Sequence, residues 1–186
     1  MKPTVLLAGI VLLAGCGADP VPTESAAATP AQSAASLDGT LTAADRQDVA
    51  ALRAATAQFH RIEVANAAGY NNQFPAGCME SSAGGMGIHY LNGDNVGSLD
   101  PTRPQLVIYE PEQNGTLRLV AVEFIYPGQP TDPAPVLFGQ SFRWNETFQV
   151  WALHVWIFRN NPTGLFQDWN PDVSCQFAPT TSTMVH

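Results

Sequence analysis

Lysine is almost absent from this chain. Its 186 residues contain 8 lysines and arginines in total, and Lys2 is the single lysine. The arginines are scattered along the sequence, and the formal net charge is −8. A protein that binds nucleic acid needs a basic face to neutralise phosphates. The composition therefore argues against nucleic acid as a partner and also disfavours acidic substrates.

Several catalytic and cofactor-binding motifs are also missing. The sequence contains no GxGxxG, P-loop, GxSxG or CxxC pattern and no internal repeat. These patterns mark dinucleotide binding, nucleotide phosphates, the serine of esterases and dithiol redox chemistry. Hydrolysis by a serine or cysteine triad is disfavoured, because no serine occupies such an elbow.

Long apolar runs are missing as well, except at the start. Residues Met1–Cys16 place one lysine before an apolar run that ends in small residues, which is the pattern of a secretory signal. The run is about a dozen residues, shorter than the roughly 20 that a membrane-spanning helix needs. Its ending, Leu13–Cys16, resembles the bacterial lipobox. The resemblance implies a signal peptide over 1–15 and a lipid on Cys16; an ordinary secretory signal with an incidental cysteine is the alternative.

A lipid on Cys16 would anchor the protein in the bacterial cell envelope, since several acyl chains give lasting attachment. In a Gram-negative cell, Gly17 rather than aspartate after the cysteine favours the outer membrane, on its periplasmic side or at the cell surface. Residues 16–40, rich in Ala, Ser, Pro and Thr, are expected to form a flexible tether. Residues 41–178 are expected to form a single globular domain, and 179–186 a tail.

Two cysteines remain in the expected domain, Cys78 and Cys175. In an oxidising compartment a disulfide between them is the default expectation. Closing so long a loop would stabilise the fold by roughly 4–5 kcal/mol in the chain-entropy model. A metal bound by cysteine is the alternative.

The pattern of apolar residues predicts an α+β fold. A helix is predicted over Thr42–Ala68 from its apolar stripe and its capping residues, with a loop over Tyr70–Gly87. Strands are predicted over Ile88–Leu91, Gln105–Tyr109, Leu117–Tyr126 and Phe148–Phe158. Asn114-Gly115 predicts a tight hairpin, so we expect the long helix to pack on a mostly antiparallel sheet of about four to six strands, able to curl into a half-barrel.

Three polar residues fall inside apolar strands: His89, Glu123 and His154. A carboxylate buried without a partner costs several kcal/mol or takes up a proton, so Glu123 needs an arginine, a histidine or a metal. A salt bridge to Arg118 or Arg143 is the structural alternative. Each histidine, for its part, can be an ordinary hydrogen-bonded strand residue or a ligand.

Two imidazoles and a carboxylate suit zinc, iron(II) or manganese and leave positions for water or substrate, so hydrolysis or oxygen chemistry becomes possible. His60 is a possible fourth ligand. It lies three residues before Glu63, so the two share a face of the predicted helix. The alternative is a histidine at the border of the apolar stripe beside a solvated glutamate.

Several segments together resemble a set of uncharacterised bacterial exported proteins. The segments are FHRIEVANAAGY, GGMGIHYLN, QLVIYEP, LRLVAVEF, LFGQSF and LHVWIFRNNPTGLFQDWNPDVSC. The shared patterns are GxMGxHY and LHxWxWxxNPxGxFxDWNPxVSC, and the similarity covers most of Ala54–Cys175. It implies no activity, but it does imply that one set of residues belongs to the family pattern: His60, Cys78, His89, Glu123, His154 and Cys175.

This chain departs from the pattern at two positions. Gln105 stands where glutamate is usual, so we expect no essential role for position 105. Phe158 stands where tryptophan is usual, a change that a core position should tolerate.

Three functions remain open. The first is a divalent-metal site, with or without catalysis. The second is a non-enzymatic module with a buried His/Glu hydrogen-bond network, whose small-molecule or protein-binding surface would be lined by Tyr90, Trp151, Trp156 and Trp169. The third is a structural envelope protein without a ligand. In each case the lipid anchor makes the membrane a partner, while the small-molecule or envelope-protein partner stays unidentified.

Overall fold

The structure is a computed structural model and describes residues 41–179. Within this range the two α-helices come first and the strands follow. The expected signal peptide, the lipidated Cys16 and the whole of the tether lie outside these residues, as does the expected tail except for Pro179. Within the described range, no helix has the length and apolar character required to cross a membrane.

The helical region is divided where a single helix over Thr42–Ala68 was predicted. It consists of α1 at Ala43–Thr56, a 3-10 turn at Ala57–His60 and α2 at Ile62–Ala67. The predicted start is confirmed: the Thr42 side chain accepts a hydrogen bond from the backbone of Asp45, and the Asp45 carboxylate accepts one from the backbone of Thr42. The prediction of one uninterrupted helix was wrong.

A tertiary hydrogen bond accompanies the division. The Tyr109 hydroxyl, which reaches over from the sheet, donates to the Phe59 carbonyl at 2.7 Å. In a continuous helix that carbonyl would accept a bond from the backbone four residues later. Arg61 takes an extended conformation immediately afterwards, with φ −101° and ψ 115°. The hydrophobic periodicity of the segment records none of these contacts.

The sheet has six antiparallel strands and curls into a half-barrel, as expected. The strand order is β1-β2-β3-β4-β8-β7, and β5 and β6 form a separate small hairpin. The bounds are β1 Asn72–Ser81, β2 Gly84–Leu91, β3 Leu106–Pro111, β4 Leu117–Tyr126, β5 Val136–Leu137, β6 Gln140–Ser141, β7 Arg143–Asn145 and β8 Val150–Val155. The strand predicted over Leu117–Tyr126 has these bounds as β4 and lies between β3 and β8.

The loop predicted over Tyr70–Gly87 was wrong, because β1 and the first half of β2 lie there. β1 is an edge strand, and its pairing with β2 is interrupted between Gln73 and Cys78. Edge strands tolerate the proline, glycine and polar residues that weaken a strand prediction. The composition of the segment therefore indicated irregularity correctly but not the pairing.

The glycines that open β2 allow another part of the chain to approach closely. Gly85 and Asn170 exchange two backbone hydrogen bonds of 3.0 Å. A Cβ atom at Gly84 would lie 2.3 Å from the Asn170 carbonyl oxygen. At Gly87, where φ is +107°, it would lie 2.5 Å from the Tyr109 carbonyl oxygen. Side chains at these positions would displace the C-terminal loop from β2 or β2 from β3.

The predicted disulfide is present. Cys78 on β1 and Cys175 near the end of the described chain are bonded, with their Cα atoms 5.7 Å apart. Next to it, the Ser174 backbone donates to Glu110 and the Cys175 backbone donates to Glu80. The C-terminal loop is thus held against the first three strands by a covalent bond and by hydrogen bonds.

The two faces of the sheet differ. The larger hydrophobic core joins the helices to the sheet and includes Leu52, Val122 and Phe124. A smaller cluster contains Leu106, Ile125 and Ala152. Because side chains alternate along a strand, Glu123 lies on the face of β4 that carries Ile125, away from Val122 and Phe124.

Gln105 has a structural role that was not expected from its departure from the family pattern. Its side chain is fully buried and donates to the carbonyls of Asn95 at 2.6 Å and Ser98 at 3.0 Å. Its side-chain oxygen accepts from the Ile125 backbone at 2.9 Å. The residue therefore joins the 92–104 loop to β4, which is a structural role; the expectation that position 105 has no essential functional role stays a prediction.

Candidate functional site

The strand register brings three of the predicted polar residues together. Glu123 on β4 is directly opposite His154 on β8. Glu123 is also opposite Leu106 on β3, and His89 on β2 is paired with Ile108, two residues further along β3. The three side chains, here named the His-Glu-His group, therefore meet on one face of the sheet. They come from strands β2, β4 and β8.

The atoms of the His-Glu-His group are close but not bonded in a regular network. The two histidine Nε2 atoms are 3.4 Å apart. His154 Nδ1 lies 3.3 Å from a Glu123 oxygen, and His89 Nε2 lies 3.7 Å from the other oxygen. Each residue can offer one ligand atom such that all three atoms lie within 4.8 Å of one another. This spacing allows the three atoms to bind one and the same metal ion.

Burial favours the uncharged form of all three side chains. His89 and His154 are 2 % exposed and Glu123 is 8 % exposed. Desolvation lowers the pKa of both histidines to about 3, assisted at His89 by the neighbouring imidazole and at His154 by Arg143. Desolvation, assisted by Asp168, raises the pKa of Glu123 to about 8, against the opposing effect of Arg143. At neutral pH the group is thus poised to lose a proton from Glu123 when a cation arrives.

Hydrogen bonding inside the group is incomplete. The Nδ1 atoms of His89 and His154 are buried and make no hydrogen bond of ordinary geometry, although the Gly87 backbone is close enough to His89 to favour its protonated form. Native proteins satisfy most buried polar atoms, so unpartnered ones call for an explanation. A bound ligand or ion is one such explanation.

The salt bridge proposed as the alternative for Glu123 is not formed. Arg118 pairs with Glu110 at 2.5 Å and with Glu112 at 3.4 Å. Arg143 donates instead to Asp168 and to the Phe166 carbonyl. Glu123 therefore has histidines rather than an arginine as its nearest titratable partners.

His60 is not brought to the His-Glu-His group. It lies at the end of the 3-10 turn and is exposed, and its ring packs edge-on against Phe158 with centroids 4.7 Å apart. Glu63 faces Arg61 at 3.9 Å on the surface. The position of His60 matches the alternative interpretation, a histidine at the border of the apolar stripe.

Asp168 belongs to the site and was not predicted, while Arg143, which was considered as a salt-bridge partner of Glu123, lies there as the partner of Asp168. The Asp168 carboxylate lies 3.7 Å from His154 Nδ1 and also pairs with Arg143. A carboxylate beside the outer nitrogen of a metal-binding histidine is the usual way of orienting such a ring. The residue lies in the proline-rich C-terminal loop, where no periodicity indicates which way a side chain points.

The His-Glu-His group lies in a cavity of about 200 Å³. Much of the wall is apolar or aromatic and comes from β1, β2, β3, β4, β7, β8, the β7–β8 turn and the C-terminal loop: Phe74, Pro75, Met79, Met86, Leu106, Ile125, Trp144, Phe148, Val150, Ala152 and Trp169. The group is therefore reachable by a small molecule.

Only one of the four aromatics predicted to line a binding surface does so. Trp169 is part of the cavity wall, whereas Trp151 and Trp156 are buried at 8 % and 3 % exposure. Tyr90 packs edge-on against Tyr109. Alternation places Trp151 and Tyr90 on the faces of their strands opposite to His154 and His89. Trp156 follows the end of β8, and its ring stacks on the His154 imidazole with centroids 6.2 Å apart while its indole N–H donates to the Gln167 carbonyl of the C-terminal loop.

The donor set fits a transition metal. Two ligands bound to zinc at about 2.0–2.1 Å in a tetrahedral arrangement are separated by roughly 3.3–3.4 Å, and the two Nε2 atoms are 3.4 Å apart. Imidazole and carboxylate ligands suit zinc, iron(II) and manganese. Three protein ligands also leave a position for water or another small molecule.

No protein-family model, curated protein or solved structure matches this chain.

Proposed function

We propose that this chain is a lipid-anchored protein of the bacterial cell envelope whose domain binds a divalent metal ion through His89, Glu123 and His154. The observation that carries the proposal is the convergence of three buried ligand atoms within 4.8 Å of one another. The convergence supports metal binding because the three side chains come from different strands and have no complete hydrogen-bond network of their own.

The surroundings of the His-Glu-His group support the same proposal. Asp168 is placed to orient the His154 ring from outside, as second carboxylates do in metal centres. The disulfide agrees with an oxidising compartment, although it would serve any exported protein. Lipidation of Cys16 supplies the anchor in this proposal.

The test is the metal content of the purified protein. After exposure to zinc, iron(II) or manganese and removal of excess ion, we expect about one ion per chain, as for a single mononuclear site. His154→Ala and Glu123→Ala should each weaken binding at least about tenfold. His60→Ala is the matched control, because that histidine is exposed and its ring packs on Phe158 rather than on the His-Glu-His group. Equal metal in the parent and in His154→Ala, or none in the parent, would overturn the proposal.

A second candidate is the metal-free module with a buried network. The observation in its favour is the Nε2–Nε2 distance of 3.4 Å, which is within reach of a hydrogen bond between two neutral imidazoles. Under this alternative, Glu123→Ala lowers the melting temperature while added metal changes neither protein. Metal-dependent stabilisation of the parent alone supports the metal site instead.

A further inference from the structure

The cavity that contains the His-Glu-His group has a wall of mixed chemistry. Strand residues Leu106, Ile125 and Ala152 form an apolar part of the wall, while Asn145 and Thr147 add polar side chains to it. A molecule bound to the His-Glu-His group would therefore also contact apolar carbon. This combination is typical of sites in which a few polar atoms orient a mostly apolar ligand.

An aromatic pair forms the outer part of the cavity. Phe74 comes from the edge strand β1, and Phe148 comes from the turn between β7 and β8, at the opposite edge of the sheet. Their ring centroids are 5.4 Å apart. Phe74 is 37 % exposed, so this pair lies at the boundary with solvent. A ligand bound to the group would have its far end beneath these rings.

The net charge of −8 disfavours acidic ligands over the protein as a whole, but the charges around the cavity favour an anion once a metal ion is bound. Arg143 and Asp168 pair with each other and offset one another. Ionised Glu123 offsets one of the two charges of a divalent ion. One positive charge then remains in a buried setting, where an opposite charge interacts strongly.

The size of the cavity limits the ligand. Its 200 Å³ is below the roughly 300–1,000 Å³ of pockets for drug-sized molecules. A water molecule takes about 30 Å³ in the liquid, so the cavity holds about seven groups of that size. A single ring with one small polar substituent is the scale that fits.

We propose that the site takes a small aromatic monocarboxylate, with its carboxylate toward the bound metal and its ring beneath Phe74 and Phe148. This inference rests on the metal site of the proposed function and adds the class of ligand to it. The apolar wall selects the ring, and the excess positive charge selects the anionic head over a neutral one.

Calorimetric titration of the zinc-loaded protein with benzoate tests the inference. Acetate carries the head without the ring, and benzyl alcohol carries the ring without the charge. Benzoate should bind at one site per chain and about tenfold or more tightly than either, since apolar contacts of this size discriminate by factors of ~10–200. Removal of the metal should weaken benzoate by a similar factor.

Variants at the aromatic pair test where the ring lies. Phe148→Ala should weaken benzoate about tenfold while leaving acetate affinity and metal content unchanged. Phe177→Ala is the matched control, since Phe177 is 43 % exposed and is not part of the cavity wall. Phe74→Ala gives an independent reading if Phe148→Ala folds poorly.

The failures of the two proposals are distinguishable. Two results would overturn the ligand inference and leave the metal site standing. In the first, the zinc-loaded parent binds benzoate no better than acetate. In the second, Phe74→Ala and Phe148→Ala both bind benzoate as tightly as the parent. A parent that retains no metal overturns the proposed function, and the ligand inference with it.

Discussion

The stability of the metal-free protein should depend on pH in a way that Glu123 controls. The Glu123 pKa is raised from 4.5 to about 8. Between these values the folded protein retains a proton that the unfolded chain has released, so raising the pH lowers the free energy of unfolding. The histidines act oppositely: their pKa values fall from 6.5 to about 3, so stability rises with pH over that interval.

The opposing effects place a maximum near pH 6.5. At pH 6.5 each of the two histidines is still half protonated in the unfolded chain, so completing its deprotonation by pH 8 adds about 0.4 kcal/mol of stability per histidine. Over the same interval the ionisation of Glu123, which is half complete in the folded protein at pH 8, removes about 1.6 kcal/mol. The parent should therefore lose about 1 kcal/mol of stability, whereas Glu123→Gln has no carboxyl to ionise and should gain slightly.

Urea denaturation in the presence of a chelator, at pH 6.5, 7.25 and 8, measures this difference. Glu146→Gln is the control, because it removes an exposed carboxylate in the β7–β8 turn. A parent and a Glu123→Gln variant with the same change in unfolding free energy from pH 6.5 to 8 would refute the assignment of a buried neutral Glu123. With bound metal, Glu123 is ionised in the folded state and the decline should disappear.

Two further predictions concern the framework. Replacing both Cys78 and Cys175 by serine should lower the free energy of unfolding by roughly 2–5 kcal/mol, the range for a native disulfide, because the bond closes a sequence separation of 97 residues; denaturation with and without reductant checks this, and equal stability would contradict it. Gln105→Ala should cost roughly 2–4 kcal/mol, since it leaves buried carbonyls and a backbone amide unpaired. Gln113→Ala, at an exposed turn position, should change stability by less than about 0.5 kcal/mol in the same denaturation assay.

Strands whose pattern of apolar side chains agrees with their position in the sheet could be predicted from the sequence. Leu117–Tyr126 has apolar residues on both faces, and β4 has these bounds with a neighbour on each side. Asn114-Gly115 predicted the hairpin that joins β3 to β4, and the pair is antiparallel. Here local preference and tertiary packing favour the same structure, so a reading of pattern alone succeeds.

The elements that depend on distant contacts could not be predicted in the same way. The helix is divided beside a bond from Tyr109, 50 positions further along the chain. β1 pairs through an interrupted register that its composition conceals. Sequence periodicity reports how one element divides its surface between core and solvent, and it contains no information about which remote group occupies a carbonyl.

The candidate site shows the same division. His89, Glu123 and His154 stood out because each is a polar residue in an apolar strand, and strands give their side chains a defined face. Asp168 lies in a loop, where neither face nor neighbour follows from spacing. His60 had a plausible helical partner, but its own turn points it toward Phe158.

The energetic cost of the His-Glu-His group is itself an argument for a ligand. Three buried titratable side chains have pKa values shifted toward their neutral forms, and two of their nitrogens have no hydrogen bond of ordinary geometry. Apolar residues of similar volume in their places would avoid this desolvation, and replacing buried polar groups in this way is often neutral or stabilising. A purely structural role would therefore be served better by valine or leucine at these positions. A divalent ion changes the balance, because it supplies the positive charge that an ionised Glu123 lacks and an electron-pair acceptor for the two Nε2 atoms, which lie 3.4 Å apart. The His-Glu-His group is therefore unfavourable in the metal-free protein and favourable once a divalent ion is bound.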